Sequence, residues 1–576
     1  MFNHILFDLD STIYNYDISN CISYDKLIDE LGHEFKINKE QLVKTYKREK
    51  KKYQNCCYGT ASSHNKYIQI KKVFDTFNLD LTRLDYYYNL YNTTFNSSME
   101  LYPYCLDFIK FCKSKDIKLY ILTNNLCKIQ LDKLQKLQII DYFDKIYTSE
   151  EFGIEKPDIK LIYYIISDIG CHKSEIVKIG DNYKNDIESV NLYDIYAFWF
   201  NENKINIKKE YLEFNNYSDL LNLYENYYMQ ANNFINITNS LGERFDLVQA
   251  GGGNTSFKIG KLMFIKSSGC HLSDLEINKN YVGINFQVIK DNISNITSLN
   301  KKTRELESKE IVDNNIIFLK NYNPSIETTL HTITKNYTIH IHPIQFNMIS
   351  ALPESNKIIK ELFSDNYFIL DYFTPGIDVT LNVLPYYSNE DIIFLKNHGL
   401  VCTANTIEEL NKIIQITINK LESYLKLDFK RYHFVNDLSF VMKSQYNENH
   451  ISYLSEDSYI NTFIDKADNM DNIFKTFVPD KLIYCGVHYV NSNETNLKMK
   501  INDYTKKFNE KPKLFLIKLD KYYLYITSNS LRKCQNIESV FKAHLMCFNK
   551  NNIILEDTEI DYLNNWEAEK FRKSIK

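Results

Sequence analysis

Residues Phe7–Tyr14 read FDLDSTIY and continue the apolar run Ile5–Leu6–Phe7. A short apolar run ending in a loop reads as a buried parallel strand, and it leaves Asp8 and Asp10 alternating at the strand's carboxyl end. Two carboxylates there can share one hard cation. Outward from this point, strand-like runs recur at Lys118–Leu122 (KLYIL), Lys145–Tyr147 (KIY), Ile176–Ile179 (IVKI) and Tyr196–Phe200 (YAFWF), with helical patterns between them. Strands separated by helices predict a doubly wound, Rossmann-like parallel sheet. Between the first two strands, about 14–99 is helical in pattern and rich in Lys, Tyr and Asp, the place and size for a lid.

A second stretch, HIHP at His340–Pro343, sets two imidazoles two residues apart. On a strand both leave from one face and can meet one metal ion. Only 15 glycines occur in 576 residues, so the triplet Gly251–Gly253 marks a backbone that must bend or approach a ligand. Strands are expected near Phe257, at Met263–Lys266, around His340 and at Ile392–Leu395, with a helix after Ser325. A polar stretch around 201–218 reads as a boundary, and a helix over about 218–239 opens the second part. The tail has strand-like Leu482–Tyr484, Lys513–Leu519 and Tyr522–Thr527, then a helix over about 530–549. The expected division is three α/β domains, 1–215 (cap about 14–99), 228–435 and 436–576.

The formal net charge of −4 argues against a nucleic-acid surface, and the basic run Arg48–Lys52 (REKKK) reads as a solvated helix face. No apolar stretch approaches the ~18 residues of a membrane span, and no signal-peptide pattern opens the chain. Twelve cysteines without a C-x-x-C pair suit neither a disulfide framework nor a zinc ribbon. A reducing, cytoplasmic setting is expected.

Four signals come in order at strand ends: Asp8-x-Asp10-x-Thr12, Thr123 after KLYIL, Lys156 before Pro157, and Gly180–Asp181–Asn182 with Asp186. Phosphoryl transfer needs a nucleophile, a proton carrier, a cation and donors for developing charge. The set resembles the haloacid dehalogenase superfamily of phosphohydrolases. The resemblance implies Asp8 as the nucleophile that becomes an aspartyl-phosphate and Asp10 as general acid/base. It implies Thr123 and Lys156 as phosphate-holding groups, and Mg²⁺ held by Asp8, Asp181 and the backbone carbonyl of Asp10, with Asp186 in support. The 14–99 insertion resembles a helical cap that closes over small phosphoesters.

From Gly251 the chain gives GGGNTSFK, IKSSG (Ile265–Gly269), PSIETTLH (Pro324–His331), HIHP and KNHGL (Lys396–Leu400). These resemble the class II aldolase/adducin family. The resemblance implies His340, His342 and His398 as zinc ligands and Glu327 as the catalytic carboxylate. A three-histidine Zn²⁺ keeps an open position for a substrate's oxygens, so an enediolate can form while the carboxylate moves a proton. Gly253, Asn254, Ser268, Gly269 and Ser325 match phosphate-contacting positions, but Ile326 stands where the sugar-phosphate aldolases carry a second serine. His331, one helical turn after Glu327, reads as packing or as a support for that carboxylate, with packing preferred. The tail is similar to the C-terminal extension of longer bacterial aldolase-like proteins and reads as an accessory domain without a site.

The chain is therefore expected to be a bifunctional enzyme of carbohydrate metabolism, a Mg²⁺ phosphatase fused to a zinc aldolase-like lyase. Its expected partner is a small phosphorylated sugar, and the resemblance to the aldolases implies a homo-oligomer, a cyclic tetramer. A dehydratase or epimerase, a methionine-salvage-like pairing, and an adducin-like interaction module remain open for the second domain.

Overall fold

Six parallel strands, in the order β3-β2-β1-β4-β5-β6, form the first sheet: β1 (His4–Phe7), β2 (Lys118–Thr123), β3 (Lys145–Thr148), β4 (Ile176–Gly180), β5 (Tyr196–Phe200) and β6 (Leu212–Phe214). β1 sits centrally, with Phe7 opposite Ile121 on one side and Ile179 on the other. Its Ile5, Leu6 and Phe7 are buried, as a doubly covered parallel strand requires. Between β1 and β2 stand four helices, α1 (Tyr16–Phe35), α2 (Lys39–Cys56), α3 (Lys66–Phe77) and α4 (Leu84–Ser98). The asparagine-rich composition serves them directly. Asn15, Asn38 and Asn65 cap α1, α2 and α3, each side chain accepting a first-turn N–H, a contact worth about 1 kcal/mol. The two chain crossings into this cap pair with each other, Tyr102 N–H donating to Ile13 O at 3.0 Å. The basic run Arg48–Lys52 lies on α2 as expected, but Lys50 is only half-exposed and faces a cavity rather than bulk solvent.

The computed structural model describes residues 1–206, 212–319, 321–467, 469–549 and 551–565. They divide into two units, Met1–Met229 with Ile317–Asn321, and Gln230–Ile316 with Tyr322–Lys576. Part of the expected boundary stretch, 207–211, and the end of the tail, 566–576, lie outside the described residues. A helix spans Tyr217–Gly242, longer at both ends than the sequence pattern suggested.

In the second unit, β8 (Leu262–Lys266) lies antiparallel between β7 (Asn254–Ile259) and β9 (Tyr281–Asn285). β10 (Tyr337–Ile341) lies antiparallel between β7 and β13 (Gly399–Ala404). β12 (Ile392–Leu395) pairs antiparallel with β13 and parallel with β11 (Tyr367–Leu370).

The tail holds a four-stranded sheet, in which β17 (Tyr522–Ser528) runs between β14 (Ile451–Leu454) and β16 (Leu514–Lys518), and β15 (Val490–Asn493) pairs parallel with β16. Leu482–Tyr484 is not a strand. It lies in a wide helical turn, Lys481–Cys485, where the buried Lys481 ammonium donates to the carbonyls of Gly486 and Val487. A three-residue apolar run carries no period, so strand and turn look alike in sequence. The helix Lys430–Tyr446 contributes Tyr432, Phe434, Leu438 and Met442 to the tail core, so position 435 falls inside a continuous helix.

Candidate active sites

Parallel pairing carries the separated motifs of the first unit to one edge of its sheet. Asp8, one residue past β1, donates its N–H to Ile179 O at 2.8 Å. Its carboxylate meets Lys156 Nζ at 2.7 Å, and the same ammonium reaches Asp186 at 2.8 Å. Lys178 approaches Asp186 from β4 at 3.1 Å. Gly180 is required here, because a Cβ would stand 2.4 Å from Asp186 Cβ. Burial raises the Asp8 carboxyl above its usual range against the pull of Lys156. Burial would raise Asp186 too, but Lys156 and Lys178 outweigh it and hold it low. Asp181 is lifted to about 7 by burial and then by the Asp8 and Asp186 charges.

Ser11 adopts a left-handed conformation (φ 58°), an uncommon one outside glycine. The bend brings Thr12 to Asp181, where its hydroxyl donates to Oδ1 at 3.0 Å and accepts from the Asp181 N–H at 3.1 Å. Trp199 Nε1 holds the Asp181 carbonyl at 2.9 Å, and Tyr217 holds the Thr12 carbonyl at 2.9 Å. The carboxylate oxygens of Asp8, Asp181 and Asp186 lie within 4.8 Å of one another. Asp186 gives Oδ1 to the two lysines and keeps a buried Oδ2 without a hydrogen-bond partner. Asp8 and Asp181 are the freer donors, and the repulsion that adds to burial in lifting Asp181 is what a divalent cation would relieve, so the residues fit Mg²⁺.

Asp10 turns its side chain away from this cluster. It accepts from Lys133 Nζ at 2.6 Å, from Gln130 Nε2 at 3.1 Å and from the Tyr14 hydroxyl. Burial would raise it, but Lys133 and these hydrogen bonds prevail and hold it below the usual carboxylate range. Gln130 also donates to Thr123 Oγ1 at 2.6 Å, leaving that hydroxyl proton available to an anion. Lys133 was not among the residues expected from sequence. Its ammonium lies 5.3–5.8 Å from the ring centres of Tyr14, Tyr16 and Phe95, and the helix Cys127–Lys136 buries Gln130 and Lys133 one turn apart. That three-residue spacing of long polar side chains was the available signal.

In the second unit β10 aims His340 and His342 the same way, and the β12–β13 turn adds His398. One nitrogen from each lies within 4.8 Å of the others. Gly399 makes room, since a Cβ there would sit 2.8 Å from His340 Nε2 and 2.7 Å from His342 Cδ2. Gly253 (φ +72°) passes so close to His340 O that a Cβ would meet it at 2.8 Å. His340 Nδ1 donates to Glu327 Oε2 at 2.7 Å, which fixes its tautomer and turns the Nε2 lone pair inward. That buried Nε2 has no hydrogen-bond partner, and neither does Glu327 Oε1, which lies 3.4 Å from His398 Nε2. Burial, with the neighbouring imidazoles, lowers His342 to about 3 and His398 to about 4, so both offer neutral nitrogen. Three converging imidazoles, one of them with an orphaned, buried ring nitrogen, fit Zn²⁺.

His331 does more than pack. Asn254 Nδ2 donates to Glu327 Oε2 at 2.6 Å, its Oδ1 accepts from His331 Nε2, and His331 Nδ1 accepts from the Ser256 hydroxyl at 2.7 Å. This buried chain holds the Glu327 carboxylate, which stays well below its usual range although burial opposes it, because His340 and His398 face it. Asn254 thus spends its amide on Glu327. The Ser268 N–H is taken by Asn323 O at 2.8 Å, and Ser325 Oγ accepts from the Glu327 N–H at 3.3 Å. Gly269 (φ +82°) is open around its Cα, and Ile326 is 70% exposed beside Glu327.

Two families meet in this chain. Residues 5–198 match the haloacid dehalogenase-like hydrolase family, and residues 232–424 match the class II aldolase and adducin N-terminal domain. The chain joins a haloacid dehalogenase-like hydrolase domain to a class II aldolase/adducin domain. It is 28% identical over 205 residues to the ribulose-1,5-bisphosphate 5-phosphatase of Halopiger xanaduensis, covering 34% of this chain and 83% of that protein. It is also 28% identical over 197 residues to the glyceraldehyde 3-phosphate phosphatase of Methanocaldococcus jannaschii, covering 33% and 80%. Among solved structures, it is similar to the N-terminal class II aldolase domain of a Thermoplasma acidophilum protein at 22% identity and a TM-score of 0.29, covering 34% of this chain and 92% of that one. No described helix is long and apolar enough to cross a membrane.

Proposed function

We propose that the first unit is a Mg²⁺-dependent phosphomonoester hydrolase acting on a small phosphorylated carbohydrate. The observation that carries this reading is Asp8 bonded to Lys156 beside Asp181, with Asp10 lining the same cavity of about 390 Å³. An Asp8 oxygen attacks phosphorus, the bond to the alcohol oxygen breaks, and that oxygen takes a proton relayed by Asp10, which must first leave Lys133 and take the proton up from water. Water then attacks the aspartyl-phosphate, gives its proton back to Asp10 and releases phosphate and free Asp8. Lys156 and the Thr123 hydroxyl hold the phosphate oxygens. Asp8, Asp181 and the Asp10 carbonyl would hold Mg²⁺, which when bound would supply the positive charge that lets one anion approach another. Asp8→Asn should abolish phosphate release with folding intact, and a phosphoester still hydrolysed by that variant would refute the assignment.

For the second unit we propose zinc-dependent, aldolase-like lyase chemistry on a sugar or sugar phosphate. The orphaned His340 Nε2 beside Glu327 supports it. His340, His342 and His398 would hold Zn²⁺, which when bound supplies Lewis-acid polarisation of substrate oxygens. Glu327, fixed by Asn254 and His340 through Oε2, keeps Oε1 to take or return a proton. The same set suits dehydration or epimerisation, and the fate of the carbon–carbon bond separates these from cleavage. Glu327→Gln should keep the metal and lose turnover by roughly 10²–10⁴-fold. A protein that binds no transition metal after chelation and reloading would favour an adducin-like interaction module. A closed tetramer in a reducing cytoplasm belongs to this reading, and a strict monomer at micromolar concentration counts against it.

A further inference from the structure

The cavity over Asp8 is polarised. At its sheet end the lysines are matched: Lys133 pairs with Asp10, and Lys156 with Asp8 and Asp186. At its cap end stand Lys50 of α2 and Lys66 of α3, which line the same cavity. Among the described residues neither has a carboxylate within ion-pair distance. Lys66 Nζ donates only to the neutral Asn20 Oδ1, at 3.3 Å, and lies 5.3 Å from the Tyr91 ring centre. Lys50 feels Asp17 at longer range alone. The other charged groups nearby are spoken for, His64 by Glu155 at 2.8 Å and Asp132 by Lys128 at 2.5 Å. Burial, then the Lys50 and Lys133 charges, lowers Lys66 to about 7. Asp10 and Asp17 pull on them only at longer range, and a buried ammonium without a bonded carboxylate costs stability that an anionic ligand would return.

We propose that Lys50 and Lys66 form a cap subsite for a second anionic group, a phosphate or a carboxylate, so that the substrate carries one anion over Asp8 and another at the cap. The inference rests on the phosphatase reading. Phosphate and carboxylate present the same acceptor oxygens to an ammonium, and matched substrates tell them apart. The neutral side chains Asn92 and Gln54 line the same cavity and suit substrate hydroxyls. The relevant substrates are thus small phosphorylated carbohydrates with a charged far end, rather than nucleosides or neutral sugars.

The test compares phosphate release from two matched pairs by the full chain with Mg²⁺: glycerol 3-phosphate against 3-phosphoglycerate, and ribulose 5-phosphate against ribulose 1,5-bisphosphate. The proposal expects kcat/KM at least about tenfold higher for the doubly anionic member of one pair. A carboxylate subsite favours the first pair and a phosphate subsite the second. In Lys50→Met and Lys66→Met that preference should fall roughly 10- to 100-fold, the size of one lost charge-assisted contact. Lys66→Arg should restore most of it, which a merely structural role would not predict. Wild-type hydrolysis of all four with no preference, or a preference unchanged in both Met variants, overturns the subsite. Absence of hydrolysis of any phosphoester refutes the underlying phosphatase reading instead.

Discussion

Asp186→Asn tests whether the first site is built on a buried charge lattice. Asp186 is fully buried and faces two buried ammoniums, Lys156 at 2.8 Å and Lys178 at 3.1 Å. The amide keeps the shape but removes the charge, leaving Lys178 with no carboxylate and Lys156 with Asp8 alone. Removing one partner of a buried pair costs about 3–5 kcal/mol, most of it from the ammonium left behind. For a unit of about 200 residues that corresponds to a melting temperature roughly 6–20 °C lower. Trp199 reports the transition, since it is buried and donates to the Asp181 carbonyl. A Trp566→Phe background removes the other tryptophan. The companion variant Lys178→Met with Asp186→Asn should recover a large part of the loss, because the stranded charge is gone. If Asp186→Asn unfolds within about 1 kcal/mol of wild type, or the double variant is no better than the single, the lattice does not support the site.

Four further outcomes are expected. Lys133→Met should lower phosphatase kcat by roughly 10- to 100-fold with KM within about threefold, in steady-state assays, because Asp10 loses the contact that orients it. Asn254→Ala should weaken zinc binding by about 10- to 100-fold in chelator competition, since it unties Glu327 and with it His340. His340→Ala with His342→Ala should remove the second unit's metal, read by elemental analysis, while phosphate release persists. Glu243 is lifted to about 7 by burial despite Lys443 3.6 Å away, so its stabilising contribution is present below pH 4.5 and lost as pH rises through 7. Glu243→Gln should therefore gain up to ~3 kcal/mol on wild type between pH 5 and pH 8 in urea unfolding.

Much of the fold was legible because strand ends are punctuated by chemistry. Asp8, Thr123 and Asp181 each close or follow an apolar run, so their order along the chain translates into adjacency across a parallel sheet, while Lys156 reaches the same edge from the loop past the helix Ser149–Phe152. His340 and His342 were legible through the two-residue period of a strand. Groups that reach the sites from helices were not. Lys133 and Gln130 sit in a helix whose surface is otherwise ordinary polar sequence, and only packing against Tyr14, Tyr16 and Phe95 turns them inward. His331 and Asn254 are 77 residues apart, and no local pattern links them. Lys50 was hidden in a basic run whose other members are solvated, since a single helix face cannot be assigned to a cavity before the packing partner is known. The Lys481–Cys485 turn failed for the opposite reason, being too short to show any period.

The two sites reach a similar charge by different donor chemistry, and on the proposed reading this bears on how one chain would keep two metals apart. The first combines three carboxylates with two lysines, leaving one formal negative charge before a cation binds. The second combines three imidazoles, neutral when they ligate a metal, with the single carboxylate of Glu327, again one negative charge. A divalent ion makes either site singly positive, ready for an anionic or oxygen-rich substrate. What differs is the donor atom: oxygen from Asp8 and Asp181 suits a hard ion that keeps water in its shell, whereas imidazole nitrogen suits zinc. Lys156 strengthens the distinction, because an ammonium bonded to Asp8 leaves that carboxylate one free oxygen rather than a chelating pair. On the proposed reading, metal selectivity in this chain would follow from ligand type and from the lysines that restrict the carboxylates, with no need for either domain to sense the other.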